Sequence, residues 1–203
     1  MACYHPLIAY RSREKSKNGK YGLSFSIKNG YYDLKVQVPC GQCIGCRLEK
    51  SRQWAIRCVH EAQMHEENCF ITLTYNKESL PADGSLRKRD FQLFMKRLRK
   101  ECGEGIRYYM CGEYGAKYER PHYHICLFGY DFKDKYIWDE RDKVPLYRST
   151  KLEKLWTLGF STIGEVTFQS AAYVAPYRDW ETDRKSTRLN SSHSAKSRMP
   201  SSA

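Results

Sequence analysis

The chain has 203 residues, 35 Lys+Arg against 23 Asp+Glu, a net charge of +12, nine cysteines, 41% hydrophobic and 14% aromatic residues. That composition supports a packed core and excludes a collagen-like or wholly disordered chain, and its charge makes polyanions the first partners to consider. No apolar run approaches the roughly 18 residues of a membrane helix, and residues 1–10 lack the pattern of a secretory signal, so the expected setting is a reducing cell interior, where an odd set of cysteines points to metal ligation before disulfides.

In chain order, residues 22–38 predict two short strands around Lys28-Asn29-Gly30, where Asn-Gly supplies the positive φ of a tight hairpin. Residues 47–66 hold no Gly or Pro. Leu48, Ala55, Val59 and Ala62 recur there at near-helical spacing among Arg47, Lys50, Arg52 and Arg57, which predicts a basic amphipathic helix. Residues 69–76, CFITLTYN, predict a buried strand with Thr72 and Thr74 on one face and Ile71, Leu73 and Tyr75 on the other.

A turn at Pro81, Asp83 and Gly84 leads to residues 87–101, where Phe91, Phe94, Met95 and Leu98 form the apolar stripe of a helix with Ser85 as its expected cap. Residues 106–113 and 122–129 predict an antiparallel pair of strands. A short helix over 151–158, a short strand over 161–167 and a last helix over 169–177, cut or bent at Pro176, complete the series. The order predicts an α+β fold: one antiparallel sheet with helices packed on one face, preceded by a small Cys-rich hairpin element. The expected divisions fall at residues 1–66, 67–177 and 178–203.

His122 and His124 flank Tyr123 in a strand, so with a side-chain period of two they project from one face and can share a metal. Glu113, nine residues earlier on the partner strand, is the candidate third ligand. Two histidines and a carboxylate leave coordination positions open, as a catalytic metal requires. Cys40-x-x-Cys43-x-x-Cys46 lets three thiolates converge on one soft-preferring metal, tetrahedral Zn²⁺ before others, with Cys3 as the first candidate for a fourth ligand and His5 as the second. An iron–sulfur cluster accepts the same spacing. Cys58, Cys69, Cys102, Cys111 and Cys126 are read as small core residues.

Several segments carry a resemblance. RPHYHICLFG after CGEYG resembles the His-hydrophobic-His motif of rolling-circle replication endonucleases, FITLTYN resembles their first motif, and PCGQCIGCRLEKSRQWAIR resembles the replication initiators of small single-stranded DNA phages of the microvirus group. The resemblance covers most of residues 1–175. It implies a catalytic tyrosine on a later helix, supplied by Tyr173 and, one helical turn on, Tyr177. It further implies a rolling-circle endonuclease domain over 67–177 that nicks single-stranded origin DNA with Mn²⁺ or Mg²⁺, links itself to the 5′-phosphate and frees a 3′-hydroxyl. Host replication helicase and polymerase are the partners implied, in the cytoplasm of the infected bacterium.

Such proteins carry a basic residue between the two tyrosines and a lysine just after them. Here Pro176 stands between the tyrosines and residues 178–203 follow, a Ser-rich stretch without hydrophobic period that reads as a disordered tail and resembles translated sequencing-adapter sequence. The pattern predicts a C-terminally truncated copy, with Tyr177 at the suspected junction. Among the cations, Arg87, Lys88, Lys96, Arg97 and Arg120 are the leading candidates for contact with the DNA backbone. Tyr108, Tyr109, Tyr114, Tyr118 and Trp138 are candidates for stacking on unpaired bases. Two other readings stand beside the nickase: a zinc-stabilised nucleic-acid-binding module without catalysis, and a plasmid initiator or relaxase of the same chemistry.

Overall fold

In the computed structural model, residues 3–115, 119–141 and 144–175 are described. The chain divides into two units, one ending at Ser51 and the other beginning at Arg52. The first is a three-stranded antiparallel sheet of β1 (Leu7–Lys15), β2 (Tyr21–Ser24) and β3 (Gly30–Val38), with a 3₁₀ turn over Ile27–Asn29. Its order is β2-β1-β3.

The expected hairpin over 22–38 therefore does not form. β2 and β3 both pair with β1, a strand whose charged alternation, LIAYRSREK, masks it as a strand in the sequence. Gly30 serves close approach in place of a positive φ: its own φ is −122°, and a Cβ there would lie 2.3 Å from the Cβ of Tyr10.

Helix α1 (Ile44–Gln63) begins in the first unit and continues into the second. The second unit is built on a six-stranded antiparallel sheet of order β5-β6-β4-β9-β8-β7. Its strands are β4 (Asn68–Tyr75), β5 (Arg107–Tyr114), β6 (Pro121–Phe128), β7 (Tyr136–Arg141), β8 (Val144–Arg148) and β9 (Gly159–Gly164). The α+β class and the antiparallel sheet stand as expected from the sequence, with the strand β1 and the pair β7–β8 added.

Period two divides the central strands between two cores. Ile71, Leu73 and Tyr75 of β4 and Tyr123, Ile125 and Leu127 of β6 face α2 (Lys88–Cys102) and α3 (Thr150–Leu155), and the predicted stripe Phe91, Phe94, Met95, Leu98 fills that core. Tyr109, Cys111, Cys126 and Phe128 face the other way, against Ala55 and Cys58 of α1 and Ala171 and Val174 of α4 (Phe168–Val174). Helices thus cover one face, as expected, and α4 with the later part of α1 covers the opposite one. Small residues on that second face keep the helices close to the strands that carry the histidines.

The cap expected at Ser85 is not used. Arg87 is the N-cap of α2 and makes no side-chain cap bond. Tyrosines of the sheet take its place: the Leu86 N–H donates to the Tyr114 hydroxyl at 3.1 Å and the Arg87 N–H to the Tyr123 hydroxyl at 3.0 Å. The Tyr123 hydroxyl in turn donates to the Arg87 carbonyl at 2.8 Å and lies 2.9 Å from that of Tyr75, which donates to Asp90 at 2.8 Å. Tyr123 is the residue between the two histidines, so this buried network fixes their strand to the core. Tyr123→Phe leaves the Arg87 N–H without its acceptor and is expected to destabilise the chain by about 1–3 kcal/mol, measured as a lower midpoint in urea.

The short helices end as their caps dictate. Ser149 caps α3 through the Leu152 N–H, and Thr167 with Ser170 forms a capping box on α4. Ala175 is extended, at φ −72° and ψ 138°, the conformation imposed on a residue before proline. The helical register of Tyr173 therefore stops at Val174, short of the turn that was expected to carry it to Tyr177. Tyr177 itself, Tyr118 and residues 178–203 lie outside the described residues.

Candidate active site

The β5–β6 register sets Glu113 opposite His122 and Cys111 opposite His124, while β4 sets Thr74 opposite His122 and Thr72 opposite His124. Directly paired residues share a face, so the carboxylate, both imidazoles and both threonines project together on the side covered by α4. The Glu113 Oε2 lies 3.7 Å from His124 Nε2 and its Oε1 lies 4.0 Å from His122 Nε2. The two imidazoles stand at 88° with centroids 4.8 Å apart. Glu113 is 5% and His124 8% exposed.

The outer nitrogens of both rings are already engaged. His122 Nδ1 lies 2.9 Å from the Arg120 carbonyl, which can only accept, so the proton sits on Nδ1 and the Nε2 lone pair faces the carboxylate. His124 Nδ1 lies 3.0 Å from the Thr72 hydroxyl, a partner that holds the same tautomer when it accepts. Two Nε2 atoms and a carboxylate, with their outer partners in place, form the donor set of a divalent first-row ion. Manganese suits two imidazoles better than magnesium, which prefers oxygen and keeps its waters.

Tyr173 reaches this group from α4. Its hydroxyl donates to Glu113 Oε1 at 3.0 Å, and its ring meets that of His124 edge-on at 5.0 Å. The residue is 52% exposed. Thr72 and the Arg120 carbonyl are contributors not expected from the sequence. The shared face of Thr72 and Thr74 in FITLTYN was the available signal.

The cysteines also converge. The sulfurs of Cys3, Cys40, Cys43 and Cys46 all lie within 4.8 Å of one another. Cys3 arrives there because Leu7 pairs with Val38, which runs the preceding and following segments side by side. The Cys40–Cys46 and Cys3–Cys43 separations are 4.0 and 3.9 Å. A tetrahedral site with metal–sulfur bonds of about 2.3 Å has edges of about 3.8 Å, and all four cysteines are free. The Tyr4 N–H leads the groups that lower the Cys43 thiol to about 6, and the Cys40 N–H leads those that lower Cys3. Loss of solvent and the neighbouring sulfurs push Cys46 up to about 12. Crowded thiolates of this kind are neutralised by a soft divalent cation. Of the remaining cysteines, Cys58, Cys69, Cys111 and Cys126 are buried and Cys102 is partly so.

The expected DNA contacts separate into two groups. Arg87, Lys88, Lys96 and Arg97 belong to the N-cap and body of α2, on the sheet face opposite the histidines. Arg87 pairs with Asp83 at 3.0 Å, and Arg97 is tied to the chain by a 2.8 Å bond from Nε to the Leu155 carbonyl. Arg120 stands just before His122 and lines a groove of about 690 Å³ with Lys77 and Tyr114. Among the tyrosines proposed for stacking, Tyr109 is unsuited: it is 5% exposed and stacks on Trp54 within the second core. Tyr108 lies under the Arg99 guanidinium, 5.5 Å from its ring centre, and Trp138 lies likewise under Arg148.

Known proteins share these residues' setting. Residues 68–181 match the family model of the replication-associated protein ORF2. The chain is 42% identical over 189 residues to replication-associated protein VP4 of Bdellovibrio phage phiMH2K, covering 87% of this chain and 57% of that one. It is 36% identical to replication-associated protein ORF2 of Spiroplasma virus 4, covering 87% and 60%, and 33% identical to replication-associated protein ORF4 of Chlamydia phage 1, covering 83% and 45%. The chain thus spans about half the length of these relatives. No solved structure matches it. Among the described residues no helix is long and apolar enough to cross a membrane. The match over 68–181 includes Glu113, His122, His124 and Tyr173, and the chain belongs to the replication-associated protein ORF2 family.

Proposed function

We propose that the chain is a metal-dependent nickase that opens single-stranded phage origin DNA and becomes joined to it, starting rolling-circle replication. The observation that carries this reading is the 3.0 Å hydrogen bond from the Tyr173 hydroxyl to Glu113, which sets a nucleophile beside a His–His–carboxylate donor set. Glu113, His122 and His124 would hold Mn²⁺ or Mg²⁺, which draws charge from a non-bridging oxygen of the scissile phosphate.

Tyr173 is the group that attacks. Its phenolic oxygen forms a bond to phosphorus as the P–O3′ bond breaks, leaving a 5′-phosphotyrosine. The proton leaves the phenol along its hydrogen bond to Glu113 and the departing O3′ ends protonated, so the freed 3′-hydroxyl can prime a host polymerase behind a host helicase. Exposure of the ring on α4 admits a single strand, and packing on His124 limits its orientation. The four cysteines would hold Zn²⁺ in a structural role. The setting that follows is the cytoplasm of an infected bacterium.

The test is incubation of the chain with labelled single-stranded origin DNA and Mn²⁺, followed by a denaturing gel. A covalent band is expected, and Tyr173→Phe is expected to remove it while DNA still binds. Binding by the wild-type chain with no adduct supports the non-catalytic binding module instead.

A further inference from the structure

The N-terminal sheet has a surface that the nicking chemistry does not use. β1 places Arg11, Arg13 and Lys15 at alternate positions, and therefore on one face, roughly 7 Å from one to the next. Arg11 and Lys15 lie over the ring of Tyr21, 5.9 and 5.5 Å from its centre, and Arg13 lies 5.7 Å from the centre of Tyr31. All three cations are exposed, and the tyrosines are 45% and 41% exposed. None of the three makes an ion pair with a carboxylate among the described residues. Over Leu7–Val38 the sequence holds seven Lys and Arg against two acids, Glu14 and Asp33.

We propose that this face is a platform for single-stranded nucleic acid. Cations in a row neutralise successive phosphates, and tyrosine rings among them offer stacking surfaces that every unpaired base can use. A flat sheet presents its rings to splayed bases, whereas duplex bases are already stacked on one another. The surplus of cations favours a polyanion over a protein partner or a second copy of the chain. Leu7 and Leu23, also exposed, give the bases apolar margins.

The surface lies outside the Tyr173 site, and its test is independent of nicking. Binding of the full chain to a fluorescent thymidine oligomer, which carries no origin, is measured by anisotropy across a salt series without added divalent metal. Arg11→Gln/Arg13→Gln/Lys15→Gln is expected to weaken binding and to reduce the log–log salt slope by about 2, from about 0.7 for each phosphate no longer neutralised. The matching Arg→Lys double variant at 11 and 13 should keep the wild-type slope. Tyr21→Leu should weaken binding about tenfold with the slope unchanged. An unchanged slope in the triple Gln variant, with circular dichroism showing it folded, overturns the proposal. So does sedimentation showing a wild-type dimer that the triple variant lacks while DNA binding is unaltered.

Discussion

His124→Ala is expected to lower adduct formation by about three orders of magnitude and to resist rescue by added Mn²⁺. The imidazole supplies one of two nitrogen donors, and losing it removes charge stabilisation worth several kcal/mol in the transition state. It also removes the edge contact that orients the Tyr173 ring. Thr72→Val should behave differently. That substitution leaves every proposed donor in place and takes away only the hydroxyl 3.0 Å from His124 Nδ1, so metal affinity should fall about 10–100-fold and excess Mn²⁺ should restore the adduct. A manganese titration of both variants checks the pair. If Thr72→Val is as inert at high metal as His124→Ala, the hydroxyl does not act through the imidazole.

The second large effect concerns the cysteine cluster. Among the described residues of the first unit, Ala9 is the one apolar side chain that is buried, while Leu7, Ile8, Leu23, Phe25, Leu34 and Val36 are exposed. A sheet of this size without an apolar core does not offset its own chain entropy and needs a metal or another staple. Structural zinc contributes on the order of 10 kcal/mol in comparable small units. The purified chain is therefore expected to hold one zinc per molecule. Stripping it with a chelator should melt the first unit and leave the unfolding transition of the six-stranded unit in place. Cys43→Ser should do the same. Elemental analysis, with calorimetry before and after chelation, checks this. A metal-free chain showing the same two transitions would contradict the zinc assignment.

How much of this was legible in the sequence depends on whether the deciding contacts are local. The strand β4, the stripe of α2 and the His122/His124 pair rest on periods of two and 3.6, and each lies where the pattern puts it. Glu113 was readable because one loop joins its strand to that of His122. The β2-β1-β3 order was not, because β1 pairs with both neighbours across non-local separations and its alternation carries charge in place of apolar residues. The strands β7 and β8 were hidden for a related reason: YIWDER and VPLYR are largely exposed and lack an apolar face.

Helix ends depended on partners the local sequence does not name. The tyrosine hydroxyls of Tyr114 and Tyr123 satisfy the start of α2 from strands far along the chain. Cys3 was singled out correctly as a neighbour of Cys40, though by way of a hairpin that does not form. The pairing of Leu7 with Val38 brings it there instead. Tyr173 followed from the resemblance to rolling-circle endonucleases, and its bond to Glu113 could not be read from spacing, since 60 residues separate them.

The most direct measurement is the identity of the residue that becomes joined to DNA. The covalent product formed with origin DNA and Mn²⁺ is trimmed with nuclease, digested with a protease and sequenced by tandem mass spectrometry. A 5′-phosphonucleotide on Tyr173 is the predicted result, absent when Glu113, His122 or His124 is substituted. Linkage to any other residue, Tyr177 included, would contradict the assignment of Tyr173 as the nucleophile of this site.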